Sequence, residues 1–192
     1  MSRPARSPLL MGPANSALLI IDIQEKLLPL IRGRSRLVWN ARRLIDGAAI
    51  LEIPAAVTEQ YPRGLGATVA ELASRLPAPA EKLRFSCSEC ASIFEQWKSA
   101  GRFKIAIAGI ETHVCVQQTA LDLIADGFDV YLCVDALGAR HALDHDVALR
   151  RLESSGATLT TCEAALFEWC QQAGTDSFRS ISQLVRESPP AP

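Results

Sequence analysis

Three residues of this 192-residue chain have types and placements suited to acyl chemistry. Asp22 closes the apolar run ALLIID, Lys82 lies inside EKLRFS, and Cys115 sits just inside the helical pattern that follows KIAIAGIET. A carboxylate, an amine and a thiol are the parts of a nucleophilic hydrolase. The thiolate is the attacking species, and an ordinary cysteine is mostly thiol at neutral pH. A helix N-terminus and a neighbouring ammonium both favour the thiolate. A carboxylate in hydrogen-bond reach can take the thiol proton and return it to a leaving group. The turn at 109–111 and the first helical turn offer backbone N–H groups that can hold the oxyanion of a tetrahedral intermediate. Taken singly, each residue has an ordinary reading: a turn or cap for the aspartate, a solvated lysine, a core cysteine. Joint placement carries the case.

That placement depends on the elements around them. Strand-sized apolar runs fall at 17–22, 54–58, 81–85, 104–108, 129–134 and 158–161. Helical spacing marks 36–51, 69–76, 91–100, 112–126, 144–155, 163–172 and 177–186, with Gly101, Gly127 and Gly156 as helix stops. Strands alternating with helices predict βαβ units. The expected fold is therefore α/β: a three-layer α/β/α sandwich on a mostly parallel six-stranded sheet with helices on both faces. Ligand sites in such sheets lie outside the C-terminal strand ends. Asp22, Lys82 and Cys115 all fall at that rim.

The bulk numbers fit one domain spanning 16–187, with flexible tails expected at 1–15 and 188–192. Hydrophobic residues make up 48%, enough for a substantial core, and 20 basic residues against 21 acidic leave a net charge of −1. That balance argues against a nucleic-acid partner, which calls for a clustered basic surface. No apolar run reaches the roughly 18 residues that span a bilayer. Arg3 and Arg6 precede no hydrophobic core of a signal peptide. The six cysteines, Cys87, Cys90, Cys115, Cys133, Cys162 and Cys170, are then expected reduced, in a cytoplasmic setting, and mostly as small core residues.

LLIIDIQEKLLP, EKLRFSC and GIETHVCVQQTALDLIADGFDVYLCVDALGAR resemble the three signature blocks of isochorismatase-like cysteine hydrolases. The likeness covers roughly Asn15 to Arg186. VTEQYPRGLG and SSGATLTTCEAALFE are similar to an isochorismatase-domain-containing branch with no settled substrate. The resemblance implies a Rossmann-like topology and a catalytic triad of Asp22, Lys82 and Cys115. It also implies a cis peptide at Ile110–Glu111 and an oxyanion hole from the backbone N–H groups of Glu111 and Cys115. A homo-oligomer, dimer or tetramer, is a further implication.

The sequence departs from the nicotinamidases of that superfamily, which carry an Asp/His metal site between the first two blocks. Its three histidines, His113, His141 and His145, all lie after Lys82. A histidine-based metal site is not expected, and no cofactor is implied. Gln24, Glu59, Gln60 and Tyr61 follow strand ends and are candidates to line the substrate pocket, each with a structural alternative. Arg63 is a candidate for an anionic substrate. Thr112 can line the site or cap the nucleophile helix through its hydroxyl. His113 lies well around the helix from Cys115 and is a poor general base. Asp135 reads best as a structural cap; Arg140 frames the site or an interface. Cys87 and Cys90 form a CxxC with no second half for a structural zinc site.

The expected function is a metal-independent hydrolase. It acts on a small amide, carbamoyl or ester-like molecule, with C–N bonds other than peptide bonds favoured, through a thioacyl-enzyme. The alternative is a binding or scaffolding protein that kept the hydrolase fold. A weaker possibility is a redox protein using Cys115 or the Cys87–Cys90 pair.

Overall fold

The apolar runs become the inside of one sheet. The computed structural model describes residues 6–190. Six strands pair in the order β3-β2-β1-β4-β5-β6, every pair parallel: β1 Ser16–Ile21, β2 Ala55–Gln60, β3 Ala80–Lys82, β4 Lys104–Ile110, β5 Asp129–Gly138 and β6 Thr158–Thr160. Central β1 and β4 are buried at every residue, as strands covered on both faces must be. Side chains alternate between the faces. Leu18, Ile20, Ala106 and Ala108 join one core with α1 (Arg34–Ile50), α7 (Cys162–Cys170) and α8 (Asp176–Val185). Leu19, Ile21, Ile105 and Ile107 join the other, with α4 (Ala91–Ser99), α5 (Gln117–Ala125) and α6 (Ala142–Ser154).

The chain builds outward from β1 through β2 to β3, then returns to lay β4 on the other side of β1. This reversal opens a crevice at the C-terminal ends of β1 and β4. Close approach there requires Gly109, whose φ is +149° and whose Cβ, if present, would lie 2.3 Å from the Ile21 carbonyl oxygen.

Several elements differ from the sequence expectation, among them β3, expected over 81–85 but ending at Lys82. The helix expected over 69–76 is a single turn, α3 (Ala70–Ala73), because Pro77 and Pro79 disfavour helix in the residues before them. A short α2 (Pro62–Leu65) was not expected at all. β5 continues to Gly138, past a register shift, and its Leu137 and Gly138 pair with Gly109 and Ile110. Of the expected N-terminal tail, residues 6–15 pack on α7: Arg6 donates to the Glu168 carbonyl, the Met11 N–H to the Glu168 carboxylate, and Met11 is fully buried. Residues 1–5 and 191–192 lie outside the described residues. Among those described, no helix is long and apolar enough to cross a membrane.

Candidate active site

Asp22 and Lys82 meet as a fully buried ion pair. Asp22 leaves β1 with φ +52°, which turns its carboxylate back over the strand ends. Lys82 closes β3, two strands away, and its Nζ donates to Asp22 Oδ2 at 2.7 Å, Gln60 Oε1 at 2.8 Å and the Phe85 carbonyl at 3.0 Å. With the Arg84 carbonyl more distant at 3.4 Å, the three donors of the ammonium are fully taken up. Both side chains are 0% exposed. Burial opposes the charge on Lys82, but the Asp22 carboxylate outweighs it and holds the lysine above its ordinary value.

The third residue arrives from β4. The Ile110–Glu111 peptide is cis, and a π-helical turn over Thr112–Val116 carries Cys115 into α5. Cys115 is buried, and the Asp22 carboxylate is near enough for its charge to act on the thiol. This turn is held from outside. The Glu111 carboxylate accepts the Arg140 backbone N–H at 2.9 Å and Arg140 Nε at 3.1 Å. The Thr112 hydroxyl pairs with His145 Nδ1 at 2.8 Å, so it ties α6 to the turn instead of capping the helix. His113 approaches Asp144 at 3.9 Å.

The thiolate expectation is corrected. Burial first, and the Asp22 charge second, raise the Cys115 thiol well above the ordinary cysteine range; Lys82 pulls the other way and loses. The sequence displayed the ammonium and the helix start but not the depth of the site. Cys87 is pushed up to about 12 by the same two causes. Linkage fixes the sign of the consequence. An unfolded cysteine, near 9.0, ionises while both buried thiols keep their protons. The folded state then binds more protons, so stability is lost as pH rises above about 9. Lys82, raised above 10.5, adds to this loss at still higher pH. Melting temperature should therefore fall steadily above about pH 9. Cys87→Ala should flatten that slope in calorimetry at constant ionic strength; an unchanged slope would remove Cys87 from the explanation.

The candidate lining residues divide. Gln24 is fully buried and spent on backbone: its Oε1 accepts the Gln60 N–H at 2.8 Å, and its Nε2 donates to the carbonyls of Gln60 at 3.1 Å and Gly66 at 2.6 Å. Glu59 is buried and takes the Thr68 N–H at 2.6 Å and hydroxyl at 2.8 Å. These two residues clamp the 61–68 loop. Gln60 holds Lys82. Tyr61, exposed and with φ +39°, and Arg63 flank a cavity of about 360 Å³ beside Lys82 and Leu83. Asp135 caps α7 by accepting the Cys162 N–H at 2.8 Å. The CxxC is split: Cys87 faces Thr58, while Cys90 faces the Glu81 carbonyl.

Sequence reasoning missed Thr58. Its hydroxyl donates to Asp22 Oδ1 at 2.8 Å and lies 3.5 Å from Cys87 Sγ. The signal was available in principle, since Thr58 ends the apolar part of β2, but its partner is visible only through the pairing of Thr58 with Ile21. Thr58→Val keeps the shape and strips a donor from a buried carboxylate, which costs about 1–3 kcal/mol. Urea unfolding should show that loss, and Thr58→Ser should restore most of it.

Comparison with known proteins agrees with this architecture. The isochorismatase domain model matches residues 16–164. Isochorismatase domain-containing protein 1 of Danio rerio is 36% identical over 185 residues, covering 94% of this chain. The chain spans 64% of that relative's length. Among solved structures, the MAR1 ribonuclease of Caenorhabditis elegans is 37% identical with a TM-score of 0.88, covering 95% of each chain. YcaC of Pseudomonas aeruginosa, solved with hexane-2,5-diol and covalent acrylamide, is 25% identical with a TM-score of 0.84, covering 94% of this chain and 93% of its own. The chain belongs to the isochorismatase domain family.

Proposed function

We propose that this protein is a cysteine hydrolase acting on a small amide, carbamoyl or ester-like substrate. The buried Asp22–Lys82 pair beside Cys115 carries the reading. Ion pairs of this kind are weak evidence for stability, since apolar replacements are often neutral or better. Their placement against a thiol is what chemistry requires. Asp22 accepts the thiol proton as Cys115 Sγ attacks the carbonyl carbon. The backbone N–H groups of Glu111 and Cys115 hold the oxyanion. Asp22 then gives its proton to the departing amine or alkoxide, leaving a thioester. Water, deprotonated by Asp22, attacks that thioester and frees the thiol. Lys82 holds the Asp22 carboxyl group in place through its contact with Oδ2, and no step calls on a metal. The YcaC neighbour, solved with covalent acrylamide, shows a relative of this fold reacting with a compact amide.

A second reading, a binding protein on a hydrolase fold, is favoured by the burial of Cys115 at 5% exposure and by its raised thiol. One experiment separates the two. The protein is mixed with activated acetyl, carbamoyl and benzoyl esters, small amides and an RNA oligonucleotide, quenched in acid and weighed intact. An adduct of the mass of the transferred acyl group that maps to Cys115 and decays with release of the acid establishes the hydrolase. Absence of any adduct and any turnover across the panel leaves the binding reading in its place. By resemblance we also propose a homo-oligomer. The apolar Leu143 and Val147 lie exposed on α6 and suit an interface between copies. Light scattering on the eluting protein tests it, and a monomer mass at tens of micromolar would refute it.

A further inference from the structure

A larger cavity, of about 550 Å³, has none of Asp22, Lys82 and Cys115 in its wall. It lies where α1 and the start of α7 meet β5 and the chain following α8. Arg43 is part of its wall and is only 3% exposed. The guanidinium is fixed from three sides. Its Nε donates to the Leu184 carbonyl at 3.1 Å, its Nη1 donates to Asn40 Oδ1 at 3.2 Å, and it stacks over the Trp39 ring at 4.2 Å. Its Nη2 is buried and makes no hydrogen bond. The nearest carboxylate, Glu163, stands 3.9 Å off and is 55% exposed. A buried charged donor left unmatched is costly, and a guanidinium edge is shaped for paired oxygen acceptors.

The surrounding charges indicate the sign of the missing partner. Arg32 and Arg36 also line the cavity, are exposed, and have no side-chain partner among the described residues. Opposing them are three carboxylates, two of them already engaged. Asp135 receives the Cys162 N–H, and Glu187 is paired with Arg42. Asp135 keeps its charge despite that bond, so with Glu187 offset by Arg42 three guanidinium groups face two carboxylates, an excess of one positive charge. The space far exceeds a single small ion.

We propose that this cavity binds a small organic or inorganic polyanion carrying carboxylate or phosphate groups. One anionic group engages Arg43 Nη2 in place of the Glu163 carboxylate, and a second meets Arg32 and Arg36. The site is independent of the hydrolase reading, because none of its residues belongs to the candidate active site.

Calorimetric titration of the whole chain tests it, with pyrophosphate and citrate as probes at fixed ionic strength. Saturable binding is expected for at least one, and the one that binds identifies phosphate or carboxylate as the recognised group. The exposed pair Arg32→Ala/Arg36→Ala should fold normally and weaken binding by about tenfold or more, as loss of a charge-assisted contact does. Glu163→Gln should tighten it severalfold by removing the internal competitor. A contact that served only the fold would not produce that gain. Arg43→Met should abolish binding, provided its circular dichroism stays native. No saturable heat from either probe, or equal affinity in wild type, the double variant and Glu163→Gln, would overturn the proposal.

Discussion

Cys115→Ala should eliminate turnover while the protein stays folded. A hydrolase that forms a thioester cannot proceed without its nucleophile, and loss of a nucleophile in triad enzymes costs on the order of 10⁶ in kcat. Here a fall of at least about 10³ is expected, since the remaining N–H groups and Asp22 can still assist attack by water. The structural cost is small. Cys115 is buried, so replacing its sulfur with nothing larger than a hydrogen leaves a void of one atom. Cys115→Ser should be nearly as inactive. A hydroxyl is a much weaker acid than a thiol, and the carboxylate facing it is too weak a base to compensate. The measurement is steady-state turnover of whichever panel substrate acylates the wild type, with acid-quenched intact mass as a second readout. More than a tenth of wild-type turnover in Cys115→Ala would exclude the covalent route.

The three candidate residues are legible in the sequence because each ends or follows an apolar run, and parallel sheets collect such positions at one rim. The sheet itself was legible for the same reason: ALLII and KIAIA are buried on both faces and carry no polar alternation. Weaker elements were not. β5 extends through Ala136, Leu137 and Gly138, residues with no strand preference of their own, because β4 is there to pair with them. The partners of Asp22 were hidden in the same way. Thr58 reaches it, and Gln60 reaches its partner Lys82, through sheet register, which leaves no trace in local composition. Gln24 and Glu59 looked ready for substrate because their side chains are polar at strand ends. Burial decides otherwise, since polar groups taken out of water are spent on the nearest backbone partner. Burial likewise reversed the sign of the Cys115 thiol shift. A linear sequence shows which charges exist, but desolvation depends on everything packed around them.

The ion pair gives the sharpest separation of folding from chemistry. Lys82→Met should lower stability by about 3–5 kcal/mol, because it strands the Asp22 carboxylate without water or a counter-charge. Thr58 still donates to Oδ1, so the loss stays short of a fully orphaned ion. Asp22→Asn should cost less, since Lys82 keeps Gln60 and the Phe85 carbonyl as acceptors. The double variant Asp22→Asn/Lys82→Met removes both charges and should recover most of the stability, because a neutral amide beside a thioether demands far less solvation than an unpaired carboxylate. Activity should follow a different rule. All three variants lack either the proton acceptor or the ammonium that holds it in place, so none should turn over, including the stable double variant. Urea unfolding read beside turnover therefore forms a two-axis test. A stable but inactive double variant assigns the pair to chemistry. A double variant that is stable and active would reduce Asp22 and Lys82 to packing, and Cys115 would then need another base.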